Sequence, residues 1–315
     1  MKILGFGKAV PKKVVTNDDL SKFVETSDEW IFQRTGIRER RISDENTSEL
    51  AYRSAVDAIK NSNIDKNEID LIVCATMTAD NYTPSVACMV QEKLGLGENV
   101  TAFDVNAACT GFVFALKIVA SMLNTYHKKA LVIGCETLSR IINFEDRNTC
   151  VLFGDGAGAI VVEKDEKNEE FYTCSLGNDE VLLAENVEMN FEMKNKVLKS
   201  GFLKMDGKEV FKFAINAVEK SINNILDMTN LTLEDIKLII PHQANQRIIN
   251  NVAKKLNVSN DKFFVNLEKY GNTSAASIPM AFCEAFELNE IAKGDKVILV
   301  GFGGGLTWGS TIIEI

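Results

Sequence analysis

Three residues in the 315-residue chain carry the side chains that covalent catalysis needs, and each sits where a strand pattern gives way to a helix pattern: Cys109, His242 and Asn272. They supply a nucleophile, an imidazole and a neutral hydrogen-bond donor. Cys109 lies in Ala102-Phe-Asp-Val-Asn-Ala-Ala-Cys-Thr-Gly-Phe112, which opens as a strand and then loses that pattern at small residues. An apolar run over 112–123 follows, long enough for about three helical turns and apolar on nearly every face, as a fully buried helix is. Cys109 therefore stands near a helix N-terminus, where free N–H groups and the helix dipole favour a thiolate. The alternative is a small apolar residue packed beneath the turn. His242 ends the apolar strand Leu238-Ile-Ile-Pro-His242, as a working imidazole or a satisfied core histidine. Asn272 stands in Gly271-Asn-Thr-Ser-Ala275, as a donor or a helix cap.

The elements that must position these residues recur along the chain. Glu68-Ile-Asp-Leu-Ile-Val73 resembles Asp235-Ile-Lys-Leu-Ile-Ile240, and Ala130-Leu-Val-Ile-Gly134 resembles Lys296-Val-Ile-Leu-Val-Gly301; both are 167 positions apart (73 to 240, 134 to 301). Ala102-Phe-Asp-Val-Asn106 resembles Phe263-Phe-Val-Asn266, and a strand is expected over 263–267. The spacing predicts one duplicated α/β unit, with halves at 1–165 and 166–315 and the boundary in the polar, irregular stretch 164–200. It maps His242 onto the mouth of the first-half strand that ends at Ala75, and Asn272 onto the turn equivalent to that of Cys109. Ligands in such folds sit at strand C-termini where the halves meet.

Several signals exclude other chemistry. Net charge is −9, which argues against a nucleic-acid or acidic-membrane partner. Seven widely spaced cysteines without a CxxC pair argue against a disulfide framework or a cysteine-rich zinc site. The N-terminal apolar stretch is too short for a signal peptide and no segment is expected to span a bilayer, so a cytoplasmic protein is expected. Gly154-Asp-Gly-Ala-Gly158 precedes a strand, so close backbone approach explains it better than a dinucleotide site. His127, among lysines, is expected to be solvated. Thr26-Ser-Asp-Glu29 reads as a capping box, and Trp30 beside the arginines of 34–41 suits an adenine nucleotide.

At these residues the chain resembles the thiolase-fold condensing enzymes, specifically the β-ketoacyl-acyl carrier protein synthase III family. The motifs are Thr26-Ser-Asp-Glu-Trp30, Arg34-Thr-Gly-Ile-Arg-Glu-Arg40, Ala107-Ala-Cys-Thr-Gly-Phe112, Pro241-His-Gln-Ala-Asn245, Gly271-Asn-Thr-Ser-Ala-Ala-Ser277 and Gly301-Phe-Gly-Gly-Gly-Leu-Thr-Trp-Gly309. The resemblance implies a duplicated α/β fold layered αβαβα, and an acyltransferase that starts fatty acid synthesis without a cofactor. Cys109 would take the acyl group of acyl-CoA, and malonyl-acyl carrier protein would then lose carbon dioxide and attack the acyl-cysteine. His242 and Asn272 would donate to the malonyl thioester oxygen, and the N–H groups of Cys109 and Gly304 would form the oxyanion hole. Trp30 and Arg147 would sandwich adenine, with Arg34 near the phosphates and Thr26 close by. Gly207, Phe211, Ala244 and Asn245 would line the pantetheine tunnel. Lys212, Arg247, Lys254 and Lys255 would dock the acidic carrier protein, and a homodimer is implied.

Two positions depart from the family pattern. Thr83 stands at the acyl-pocket rim where acetyl-preferring relatives can carry a bulky aromatic, which would admit longer or branched primers. Thr110 follows the nucleophile where alanine is common. Two rivals share parts of the pattern. A sister acyltransferase making a specialised ketide would use the same fold; one with hydroxymethylglutaryl-type chemistry would want a glutamate near Cys109, and no motif recommends Glu92 or Glu136. Papain-like hydrolases share the order cysteine, histidine, asparagine, but they carry a different nucleophile context and do not explain the duplication.

Overall fold

The computed structural model describes residues 1–166, 169–185 and 201–315. Two mixed sheets face each other. The first runs, edge to edge, Lys2–Ala9, Gly156–Glu163, Lys129–Glu136, Leu71–Ala75, Thr101–Val105. Its last three strands are parallel, and the other two are antiparallel to their neighbours. The second sheet repeats that order from its other edge: Leu238–Pro241 is parallel to Lys296–Gly303, then Gly305–Glu314 and Phe171–Asn178 pair antiparallel.

Side-chain alternation decides which face each layer covers. Leu71, Val73 and Ala75 point into the core between the sheets, whereas Ile72 and Cys74 point to the outer helices Thr47–Ser62 and Val86–Leu94. In the second half Leu238 and Ile240 point inward, and Ile239 packs outward with the helices Gly207–Thr229 and Gln246–Lys255. Both faces of each central strand are therefore covered, which is why these strands read as unbroken apolar runs. The helices Gly111–Thr125 and Ser277–Glu287 fill the space between the sheets. The result is five layers, αβαβα.

This middle layer corrects one expectation. Residues 108–125 are long and apolar enough to cross a membrane, with mean hydropathy 1.4 over 18 residues. Their apolarity has another cause, because sheets press on two sides of the helix. Three further expectations change. The strand over 263–267 shrinks to a single bridge between Phe263 and Ile239, because the chain turns into the short helix Leu267–Tyr270. Within the stretch read as irregular, Phe171–Asn178 is an edge strand of the second sheet; positions 186–200 of that stretch lie outside the described residues. His127 is buried, packed against Tyr126 with its Nδ1 3.6 Å from the Asp70 carboxylate.

The glycines of the first sheet permit the contact between halves. A Cβ at Gly134 would stand 2.2 Å from the Ala275 carbonyl oxygen, and one at Gly158 would stand 2.7 Å from the Met280 nitrogen. Gly154 and Gly156 are equally close to Tyr270 and Met280. These are the close backbone approaches that the glycine pattern predicts. Gly134→Ala is expected to cost about 3 kcal/mol through overpacking against backbone. Gly97→Ala, with nothing within 4 Å, should stay within about 0.5 kcal/mol of the parent. Urea unfolding of the two variants checks both values.

Candidate active site

Each half builds the same sharp turn before its inner helix, after the strand Thr101–Val105 in the first half and after the short helix Leu267–Tyr270 in the second. Ala108 takes φ +45° and Ser274 takes φ +47°, a left-handed conformation uncommon outside glycine. In each turn an asparagine two residues earlier holds it. Asn106 Oδ1 accepts from the Ala108 N–H at 3.3 Å, and Asn272 Oδ1 accepts from the Ser274 N–H at 2.9 Å. The true counterpart of Asn272 is therefore Asn106, and Cys109 corresponds to Ala275. The asparagine acts as a local brace, and its NH2 group remains for the cavity that Asn272 lines.

That cavity has a volume of about 640 Å³ and brings together Cys109, His242, Asn272 and Gly304. Gly207, Phe211, Ala244 and Asn245 line it too, at the N-terminal ends of the two helices that cover the second sheet. The Asn245 amide is already engaged: it accepts from the Arg247 N–H at 2.8 Å and donates to the Arg34 carbonyl at 3.0 Å. Gly303 lies against Cys109, since a Cβ there would stand 2.8 Å from Cys109 Cβ and 3.3 Å from its Sγ. Thr110 is fully buried and accepts a hydrogen bond from the Thr307 hydroxyl at 2.9 Å, which gives its extra oxygen a partner.

The electrostatics correct the expected thiolate. Burial pushes the Cys109 thiol up from 9.0 to about 12, with the Glu136 carboxylate adding to the rise and a hydrogen bond from Ser274 opposing it. A three-unit rise corresponds to about 4 kcal/mol, whereas a helix terminus contributes at most about 2 kcal/mol. Desolvation wins, and the resting thiol is neutral. Burial also drives the His242 imidazole down to about 3. Its Nδ1 pairs with the Ser277 hydroxyl at 2.7 Å, and its ring meets Phe302 edge-on at 5.1 Å. A neutral thiol and a neutral imidazole are the opposite of the thiolate–imidazolium pair that a papain-like hydrolase requires.

Other expected site residues lie elsewhere. Trp30 holds two guanidinium groups over its ring, Arg34 at 4.3 Å and Arg147 at 4.8 Å. Ser27, not Thr26, caps the Trp30 helix by accepting from the Trp30 N–H at 3.1 Å. The Thr26 hydroxyl is buried without a partner among the described residues. Thr83 is exposed and does not line the cavity. The helix that follows its loop is held at its start by the Asp104 carboxylate, which accepts from the N–H groups of Val86 and Ala87. Lys212 pairs with Glu209 at 3.2 Å and Lys255 with Glu219 at 2.6 Å. Arg247 lies 5.5 Å over the Phe211 ring, and Lys254 is exposed on the same helix. Sequence reasoning gave no role to Glu136, Ser274, Ser277, Phe302 or Gly303. The one signal for Glu136 was a charged residue closing an otherwise apolar strand.

Comparison with known proteins matches this arrangement. Two family profiles cover more than half of the chain: 3-oxoacyl-[acyl-carrier-protein] synthase III over residues 103–180 and the C-terminal region of the same family over 226–315. The β-ketoacyl-[acyl-carrier-protein] synthase III of Clostridium acetobutylicum is 51% identical, across 100% of this chain and 98% of its own length. Its namesake from Clostridium perfringens is 49% identical, across 100% and 99%. Among solved structures, 3-oxoacyl-[acyl-carrier-protein] synthase III from Aquifex aeolicus superposes with a TM-score of 0.92 at 44% identity, across 100% of this chain and 99% of that one. The Thermus thermophilus synthase III structure gives 0.92 at 38% identity, with the same coverage.

The buried imidazole makes stability depend on pH. Below pH 6.5 the unfolded chain takes a proton at His242 that the folded chain refuses until about pH 3. The native state therefore loses up to ~1.4 kcal/mol per pH unit across that window. Relative to His242→Gln, the parent protein is expected to lose about 2 kcal/mol between pH 6.5 and pH 5. Urea unfolding of both proteins at the two pH values measures the difference.

Proposed function

The chain belongs to the 3-oxoacyl-[acyl-carrier-protein] synthase III family, the initiating condensing enzymes of fatty acid synthesis that use acyl-CoA and malonyl-acyl carrier protein, and on that premise we propose how its residues divide the reaction. The carrying observation is that Cys109, His242, Asn272 and Gly304 line one buried, apolar cavity.

In the first half-reaction the Cys109 sulfur bonds to the carbonyl carbon of acyl-CoA, and CoA leaves. Negative charge gathers on the carbonyl oxygen, where the N–H groups of Cys109 and Gly304 receive it; one such donor is typically worth about 3 kcal/mol. Gly303 lets the backbone come close enough to the sulfur for this. In the second half-reaction malonyl-acyl carrier protein loses carbon dioxide, and its enolate attacks the acyl-cysteine to give 3-oxoacyl-acyl carrier protein. The enolate oxygen is held by two neutral donors. Asn272 offers its NH2 because its oxygen is fixed on Ser274. His242 offers Nε2–H when the Ser277 hydroxyl donates to Nδ1. Burial keeps that imidazole uncharged, so it stabilises the enolate without protonating it prematurely.

Binding follows the same cavity outward. Gly207, Phe211, Ala244 and Asn245 guide the pantetheine arm. Trp30 and Arg147 take the adenine between them, with Arg34 and Thr26 toward the phosphates. In this reading adenine displaces the Arg147 guanidinium from the Trp30 ring and stacks in its place. Arg247 and Lys254 form no ion pair among the described residues, which makes them the strongest attraction for an acidic carrier protein; Lys212 and Lys255 are already matched by carboxylates. A homodimer is part of the proposal, supported by Tyr82, 86% exposed in a single chain. Thr83 beside it then bears on the primer only across that interface. Sedimentation at twice the 34.9 kDa chain mass is expected, and the monomer mass would remove this part. Seven free cysteines fit a reducing, cytoplasmic compartment.

Intact-protein mass spectrometry after mixing with acetyl-, isobutyryl-, butyryl- or octanoyl-CoA tests the division of labour. An acyl mass gain is expected in the parent, His242→Ala and Asn272→Ala, and none in Cys109→Ala. The histidine and asparagine variants should then lose at least about 10²-fold in malonyl decarboxylation. Normal condensation by either variant would refute its role.

A further inference from the structure

Glu136 closes the strand Lys129–Glu136 with no exposed surface and no role in the steps above. Its carboxylate accepts from the Thr78 hydroxyl at 2.6 Å, the Thr76 hydroxyl at 3.3 Å and the Met77 N–H at 3.2 Å. A fourth donor comes from the other half: the Ser274 hydroxyl, at 3.2 Å. Ser274 also lines the cavity with Cys109, because the two sharp turns pack directly against each other. None of these partners is a cation. A buried carboxylate without a countercharge is costly, and Ser274, its partner from the other half, belongs to the turn packed against that of Cys109.

We infer that Glu136 holds the proton of Cys109 during each turnover, with Ser274 relaying it between thiol and carboxylate. This rests on the acyl-cysteine reading above. As the Cys109 sulfur bonds to the thioester carbon, its proton passes to Ser274 Oγ and the serine's own proton passes to Glu136 Oε1. The carbon–sulfur bond to CoA breaks, and CoA leaves as a thiolate that takes its proton from solvent. The serine O–H now points at the acylated sulfur. When the enolate carbon bonds to the acyl carbon, the Cys109 carbon–sulfur bond breaks and the departing thiolate recovers its proton from Glu136 through Ser274. Glu136 starts and ends the cycle as a carboxylate, and it acts as a positioning residue because it never touches substrate.

The surroundings suit a group that must change charge readily. Burial raises Glu136 from 4.5 to about 7, and the four hydrogen bonds oppose that rise. Its neighbours that titrate are the thiols of Cys109, Cys74 and Cys135, and burial pushes all three up. The carboxyl is therefore the group that changes charge near neutral pH. His242, neutral down to about pH 3, does not compete for the proton.

The test measures the rate of Cys109 acylation against pH, by quenched intact mass, in Glu136→Gln, Ser274→Ala and the double variant. Glutamine keeps the serine's acceptor but takes no proton. Alanine is tolerated at the left-handed position, as Ala108 shows in the first half. The parent rate is expected to rise with pH through about 7. Each variant should be about 10²-fold slower, without that inflection, and the double variant no slower than either. Time-resolved infrared spectra at pH 8 should show a protonated-carboxyl band appearing transiently with acylation of the parent and not of Glu136→Gln. Parent-like rates and pH profiles in either variant, or no such band in the parent, would overturn the relay. Should Glu136→Gln not fold, Ser274→Ala alone decides the rate arm. Acyl mass on Cys109→Ala would instead defeat the acyl-cysteine reading beneath it, so the two failures are distinguishable.

Discussion

The whole molecule depends on one contact, the back-to-back packing of the two sharp turns that open the inner helices between the sheets. Gly111 sits against the Cβ atoms of Ala75 and Ala275, and Gly134 leaves no room for a side chain beside the Ala275 carbonyl. This closeness is possible only where both halves present small residues. Once the turns meet, the helices Gly111–Thr125 and Ser277–Glu287 must lie side by side in the dry interior, and the sheets must close over them. The catalytic atoms hang from the start of these helices and from the strand ends beside them. Packing, rather than loop chemistry, therefore sets their positions, and rigid elements hold a site more precisely than loops do.

The duplicated turn also shows how one local solution came to serve two roles. Both copies use an asparagine to brace a left-handed residue two positions later. In the first copy the next residue is Cys109, the proposed nucleophile, and Asn106 remains a brace that also borders the cavity. In the second copy Ala275 stands at the position of Cys109, and Asn272 lines the same cavity. Asn272 Oδ1 braces Ser274 from just before Thr273, which holds the N-cap position, and in the proposed mechanism the opposite end of the same amide is the donor.

Much of this could be read from the chain alone. The 167-residue repeat named the layers, because a doubly covered strand must be apolar without interruption. Cys109 and His242 could be placed at strand mouths for the same reason, whereas the turn of Asn272 follows the short helix Leu267–Tyr270 rather than a strand. What could not be read was the sign of the electrostatics. A helix N-terminus argues for a thiolate from local geometry, while the burial that overrides it comes from residues as distant in sequence as Gly303 and Phe302. The place of Thr83 could not be read either: it is exposed in the single chain, and only the proposed interface between two chains brings it to the primer. Ser274 was quoted within a motif, but its hydroxyl gained meaning only once Glu136, 138 positions away, lay beneath it.

Burial that keeps both thiol and imidazole neutral poses a question about the chemistry, and the fold supplies its own answer. An acyl-cysteine must survive until the second substrate arrives, so water and permanent charge are best kept away from it. The same dryness makes a free thiolate expensive at both moments when one is needed, at acylation and at release. An acid buried behind the nucleophile, reached through a single hydroxyl, relieves that conflict without bringing charge to the substrate side. Glu136 lies on the first half and Ser274 on the second, so the path exists only when the halves are docked. The contact that shapes the cavity is thus also the one that completes the route for the proton.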